Sequence, residues 1–205
     1  LTTTANLVGI VGGLDINQTD FDNDGDLDVL VLRGAWLDAD GRNPNSLLRN
    51  NGDLTFTDVT FEAGLGDVHY PTQTAAWGDY DNDGDLDLYI GNEWTASQPS
   101  PSQLFRNNGD GTLDDVAEEA RVLNLGRAKG VAWGDYDGDG FPDLYVSNLG
   151  TDNRLYHNNR DGTFTDEATL LGVAAPASGF STWFWDVNND GALDLLVNDY
   201  GIPSA

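Results

Sequence analysis

The chain has no cysteine, so neither a disulfide framework nor a thiolate metal site holds it together, and cysteine use gives no sign of its compartment. Basic residues are scarce: 9 Lys and Arg stand against 35 Asp and Glu, a formal charge of −26. Nucleic acids and anionic membranes are polyanions that such a surface repels, which leaves a cation as the natural partner. No apolar run approaches the ~20 residues of a membrane-spanning helix, and residues 1–15 lack a basic start followed by an apolar core. Methionine is missing as well, and the chain starts at Leu1, so we expect a processed product or a segment of a longer polypeptide.

What the sequence has in abundance is aspartate in a repeating frame. One nonapeptide occurs four times: DFDNDGDLD (Asp20 to Asp28), DYDNDGDLD (Asp79 to Asp87), DYDGDGFPD (Asp135 to Asp143) and DVNNDGALD (Asp186 to Asp194). Successive copies start 59, 56 and 51 residues apart, the size of one four-stranded unit. A second element follows in register: LLRNNGDLTFTD, LFRNNGDGTLDD and LYHNNRDGTFTD, where Asn, Gly and Asp flanked by Leu, Phe and Thr read as a hairpin turn. Each nonapeptide runs into a dense apolar stretch, LDVLVL, LDLYIG, PDLYVS or LDLLVN, as expected of strands buried on both faces. From the second copy on, TAAWG, GVAWG or STWFW precedes it. Strand, acidic loop, buried strand and hairpin make a propeller blade. The expected fold is all-β, an array of about three and a half blades: residues 1–66, 67–125, 126–175 and a half blade at 176–205.

Alternate side chains on a curling backbone converge on one point, and glycine at position 6 (Gly25, Gly84, Gly140, Gly191) permits the turn. With a carbonyl from position 7, each loop offers the six or seven oxygens that Ca²⁺ prefers. The expected ligands are Asp20, Asp22, Asp24, Asp28 and the carbonyl of Asp26; Asp79, Asp81, Asp83, Asp87 and that of Asp85; Asp135, Asp137, Asp139, Asp143 and that of Phe141; and Asp186, Asn188, Asp190, Asp194 and that of Ala192, about four ions in all. Without a cation, two carboxylates about 4 Å apart repel by roughly 4 kcal/mol at an effective dielectric near 20. An EF-hand is excluded because its closing Glu at position 12 is replaced by Val31, Ile90, Val146 and Val197.

The D-x-D-x-D-G-x-x-D loops, with W-G-D-Y ahead and L-F-R-N-N-G-D-G-T behind, resemble FG-GAP/VCBS-type repeats, the blades of integrin-alpha-like β-propellers. The resemblance runs from about Asn17 to Tyr200. It implies structural calcium between the first two strands of each blade, and an extracellular or cell-surface protein of adhesion, lectin-like or carbohydrate-associated type. Copy one departs from the pattern, with Gln18 where later copies have Trp77 and Trp133, and the fourth unit stops after two strands. Three completions are open: Leu7 to Gly13 closes a small ring, an absent part of the polypeptide supplies the strands, or another copy does so.

Hydrolase chemistry lacks its usual motifs, and His157 aligns with Arg49 and Arg106, reading as an exposed strand position rather than a general base. Trp77, Trp133 and Phe184 share one repeat position and read as packing between blades. Trp36, Trp94 and Tyr200 fall just after the second strand of their units, where an aromatic face stacks on a sugar or a protein partner, or packs at the rim. The expected function is an extracellular, calcium-stabilised binding or assembly module without enzymatic activity, acting in adhesion, protein interaction or polymer formation. A lectin-like carbohydrate-binding propeller is the alternative. Calcium, proteins or further copies of the chain, and glycans are the expected partners; nucleic acid and membrane insertion are not.

Overall fold

A computed structural model describes residues 4–201 apart from 8 and 11. Among the described residues, fourteen strands lie in four antiparallel sheets that follow chain order. The first holds β1 (Asp15–Thr19), β2 (Asp28–Leu32), β3 (Ser46–Asn50) and β4 (Phe56–Asp58), and the second β5 (Thr72–Gly78), β6 (Asp87–Asn92), β7 (Gln103–Asn107) and β8 (Leu113–Asp115). The third holds β9 (Ala128–Gly134), β10 (Asp143–Asn148), β11 (Arg154–Asn158) and β12 (Phe164–Asp166), and the fourth only β13 (Gly179–Trp185) and β14 (Asp194–Asp199). A single 3₁₀ turn, Asp38–Gly41, is the one helical element among the described residues.

Strands β6 and β10 are buried at every position, because a sheet covers each of their faces. Three apolar layers fill the gaps between the four sheets. Phe21, Leu30, Leu47, Leu88 and Ile90 belong to the first. Tyr89, Leu104, Leu144, Val146 and Phe164 belong to the second, and Tyr145, Leu155, Phe184, Leu195 and Val197 to the third. The aromatics of the shared repeat position lock successive blades: a Cβ at Gly78 would strike the Trp133 ring, and one at Gly134 the Phe184 ring. Gln18 is exposed in the same position of β1, and no blade precedes it among the described residues. β14 is only partly buried because its second face lacks a covering sheet.

First strands lie against one another, β5 with β9, β9 with β13, and β1 beside β5, so they line the axis of the array. The described residues of the segment before β1 do not complete the fourth blade. Leu14 N donates to Leu32 O at 2.8 Å, Arg33 Nε to Gly12 O at 3.0 Å, and Phe56 N to Ala5 O at 3.0 Å, so blade one holds it. Of the proposed closing segment, Val8 and Val11 lie outside the described residues. Among the described residues the fourth sheet is two-stranded.

Candidate functional site

All four acidic loops share one hydrogen-bonding scheme. The position-1 carboxylate accepts the N–H of position 5 and of the position-6 glycine, as in Asp24 N to Asp20 Oδ1 at 3.0 Å and Gly25 N to Asp20 Oδ2 at 3.0 Å. The matching pairs recur on Asp79, Asp135 and Asp186. Position 5 accepts the N–H two residues on, as Asp83 Oδ1 does from Asp85 at 2.9 Å. Position 4 turns left-handed, with φ near +60° at Asn23, Asn82 and Asn189 and a glycine, Gly138, in the third loop. The backbone of each loop is thus wound by its own carboxylates.

In the first three loops, three of the four side chains that the sequence assigns to the ion converge. One oxygen each from Asp20, Asp22 and Asp28 lies within 4.8 Å of the others, and so do those of Asp79, Asp81 and Asp87, and of Asp135, Asp137 and Asp143. The position-5 aspartates Asp24, Asp83 and Asp139 stand outside these groups. In the fourth loop Asn188 takes the place of the third carboxylate, and the turn itself is kept, with Ala192 N on Asp190 Oδ1 at 2.9 Å. Asp22 Oδ1 and Asp81 Oδ1 are buried without a hydrogen-bond partner. A converging carboxylate set with two orphaned buried oxygens fits a hard divalent cation.

Position 9 does more than the sequence indicates. Asp87 is fully buried; its Oδ2 accepts Tyr80 N at 3.1 Å and its Oδ1 accepts Asn107 N, on the third strand, at 2.8 Å. Asp28 and Asp143 repeat both bonds. Burial, only partly opposed by these N–H donors, pushes the Asp87 carboxyl up to about 7 and that of Asp143 to about 6, and raises Asp28 as well. Burial first, then the position-5 neighbour, raises Asp22 and Asp81.

The third loop carries basic side chains of its own. His157 is not the exposed strand residue expected from alignment with arginines: its side chain is mostly buried, with Nδ1 3.2 Å from Asp143 Oδ1 and 3.6 Å from Asp137 Oδ2. The hairpin folds β11 back over the loop and carries the ring inward. Arg160 pairs with Asp139, Nη2 to Oδ2 at 2.6 Å. It stands where the other units have Gly52 and Gly109, whose added Cβ would meet the Asp26 and Asp85 carboxylates. Phe141 replaces that aspartate in the third loop, so the arginine fits.

The loops also join blades. Asn23 Nδ2 donates to Asp85 Oδ1 at 2.6 Å, and Asn82 Nδ2 to Gly140 O at 2.9 Å. From the hairpins, Asn107 Nδ2 reaches Phe21 O and Asn158 Nδ2 reaches Tyr80 O, each at 2.8 Å.

Away from the acidic loops, two of the three singled-out aromatics are joined through a third ring, Phe180. Trp36 stacks on Phe180 with ring centroids 6.3 Å apart, and Phe180 on Tyr200 at 5.3 Å. Trp94 is half-buried, its N–H on Gly126 O at 3.2 Å, and it is outside this stack. Beneath Trp36 lies a residue the sequence analysis passed over: Lys129, whose side chain is fully buried against Glu93 and whose Nζ sits 3.3 Å from the centroid of the indole. A lone lysine in a strand has no sequence signature of burial.

The FG-GAP-like repeat profile matches residues 20–90, 94–146 and 135–197, nearly the whole array just described. The chain belongs to the FG-GAP-like repeat family. Among relatives of these FG-GAP repeats, cartilage acidic protein 1 of Mus musculus is 28% identical over 76% of this chain, and that of Homo sapiens 26% identical over 82%. The chain spans 25% and 30% of their respective lengths. Among solved structures, an Agrocybe aegerita lectin, described as recognising non-reducing terminal N-acetylglucosamine, superposes with a TM-score of 0.52 at 19% identity. That match covers 94% of this chain and 49% of the lectin, a likeness of fold. No helix among the described residues is long and apolar enough to cross a membrane.

Proposed function

We propose that the FG-GAP array is a calcium-stabilised binding module that works outside the cell, each acidic loop taking up one Ca²⁺. The observation that carries this reading is the convergence of three carboxylates in each of the first three loops, with Asp22 Oδ1 and Asp81 Oδ1 buried and unpartnered. The position-5 carboxylates and the position-7 carbonyls of Asp26, Asp85, Phe141 and Ala192 complete the oxygen set. The ions act structurally. They neutralise the loops from which Asn23 and Asn82 reach the next blade, and so hold neighbouring sheets in register. At a calcium concentration one hundred times the dissociation constant, each ion stabilises the fold by about 2.7 kcal/mol. Extracellular calcium supplies that excess for sites in the micromolar range.

The partly covered β14 is the interaction edge of the module: it takes further strands from the same polypeptide, another copy or a protein partner. With no catalytic motif in the sequence, binding rather than turnover is the function assigned. Titration calorimetry of the chelator-treated chain tests the reading. About four ions are expected per chain, with a rise in melting temperature on calcium addition. A flat titration, or uptake that leaves melting unchanged, overturns it.

A further inference from the structure

We propose that the axial mouth on the face opposite the acidic loops binds a neutral sugar residue, stacked on Trp36. Asp15, Gln73, Lys129 and Phe180 are first or second residues of β1, β5, β9 and β13, whose far ends run into the acidic loops. At about 3.3 Å per residue the two ends of a seven-residue strand lie about 20 Å apart, so this site shares no ligand with the calcium loops. It is a cavity of about 410 Å³, large enough for one pyranose ring.

The platform is built rather than incidental. Trp36 sits in the left-handed region at φ +71°, a conformation that bulky side chains rarely adopt. Its N–H is held by Glu93 Oε2 at 2.7 Å, its inner face rests on Lys129 Nζ, and Phe180 stacks beside it. A fully buried Lys–Glu pair is a poor source of stability, and here it fixes one indole in place. Trp36 is nevertheless 46% exposed and Tyr200 58%. Around these rings stand hydrogen-bonding groups that can meet hydroxyls: Asp15, whose Oδ1 accepts Ile16 N at 2.8 Å and whose Oδ2 is left for a ligand, the exposed Ser181, and the amide N–H groups of Gln73, whose Oε1 is taken by Lys129 at 3.1 Å.

The chemistry of the pocket selects among ligand classes. A cationic ligand meets Lys129, which already occupies the ring pair. An anionic ligand meets Asp15 and a molecule of charge −26. A purely apolar ligand leaves Asp15 and Ser181 without partners. A neutral pyranose presents a C–H face to the indole and hydroxyls to the polar rim.

This inference rests on the binding-module reading, but not on calcium uptake. Methyl glycosides of glucose, galactose, mannose and N-acetylglucosamine are titrated into the calcium-treated chain, with indole resonances read by NMR and Trp36 assigned through Trp36→Phe. At least one glycoside should saturate with Kd near about 1 mM and shift the Trp36 indole while leaving Trp77 unmoved. Trp36→Ala should weaken binding roughly tenfold, and Ser181→Ala, an exposed change that does not threaten folding, by roughly threefold. No saturable shift up to roughly 50 mM with any glycoside, undiminished affinity in both variants, or tighter binding of choline overturns the proposal. Calcium uptake without sugar binding overturns this proposal alone, whereas sugar binding without calcium uptake overturns only the reading of the loops.

Discussion

Asn107 Nδ2 donates at 2.8 Å to the carbonyl of Phe21, which precedes it by 86 residues, and so ties the third strand of one blade to the acidic loop of the blade before it. The same side chain donates to Leu86 O in its own loop at 3.1 Å. Asn158 repeats the arrangement on Tyr80 O and Pro142 O. Asn50 bonds Leu27 O at 3.1 Å within its own blade and reaches no earlier blade among the described residues.

Removing the tie should therefore cost more in the second blade than in the first. Asn107→Ala leaves the buried Phe21 carbonyl unpaired, and is expected to lower unfolding free energy by about 1–3 kcal/mol. Asn50→Ala should cost less than half of that. Urea midpoints of the two variants at fixed calcium decide it, and equal losses would show that the bond across blades adds nothing.

Positions 5 and 9 of the loop should separate by their calcium dependence. Asp83 is exposed and accepts one N–H, so Asp83→Ala should lower the melting temperature in calcium far more than in excess chelator. Asp87 accepts two buried N–H groups. Asp87→Ala should destabilise by about 2–4 kcal/mol already in chelator, since both donors lose their acceptor, and by more in calcium, where an ion ligand is lost as well. Paired melting curves check both; equal losses for Asp83→Ala in the two buffers would remove it from the ligand set.

A pH dependence follows from the raised carboxyls. Asp87 and Asp143 titrate near 7 and 6 in the fold, whereas an unfolded Asp titrates near about 3.9. Between these values the folded calcium-free chain binds more protons than the unfolded one, so its stability falls as pH rises from about 4 to about 7. Calcium requires the ionised form, so the stabilisation it gives should grow across the same window. Melting at pH 5 and at pH 7 in chelator and in calcium tests this. A chelated chain that melts higher at pH 7 would contradict it.

Arg160 should weaken calcium at the third loop. Asp139 is held below the usual carboxylate range by the Phe141 N–H first and by Arg160 next, and the guanidinium competes for the oxygen an ion would take. Arg160→Gly, which restores the residue found at positions 52 and 109, is expected to tighten one calcium site several-fold and leave the others unchanged. Calorimetry resolves this; an unchanged or weaker third site would make Arg160 an outer-face residue without influence on the ion.

Strand order and loop chemistry were legible in the sequence because both are local. Four copies of an acidic loop in a fixed frame, three D-x-D-x-D-G and one D-x-N-x-D-G, set turn geometry by side chains bonding backbone a few residues away, and apolar runs such as DLYIGN have one use, burial between sheets. Trp77, Trp133 and Phe184 could be placed between blades because repetition exposed their shared position. The N-terminal segment was less legible. Its apolar residues suit any open edge, and the hydrogen bonds that bind it to blade one involve backbone groups common to all residues.

By itself, then, the sequence determined the all-β blades and the acidic loops, since each is written in spacing that a strand or turn converts directly into geometry. Tertiary structure alone decided that Lys129 lies buried beneath Trp36, that Tyr200 joins them through Phe180 while Trp94 stays apart, and that His157 and Arg160 lean into the third loop. The last two depend on how the hairpin of the third blade folds over its own loop, and the others on how the blades rotate about their common axis. That rotation is set by packing between sheets far apart in the chain, and no local pattern records it.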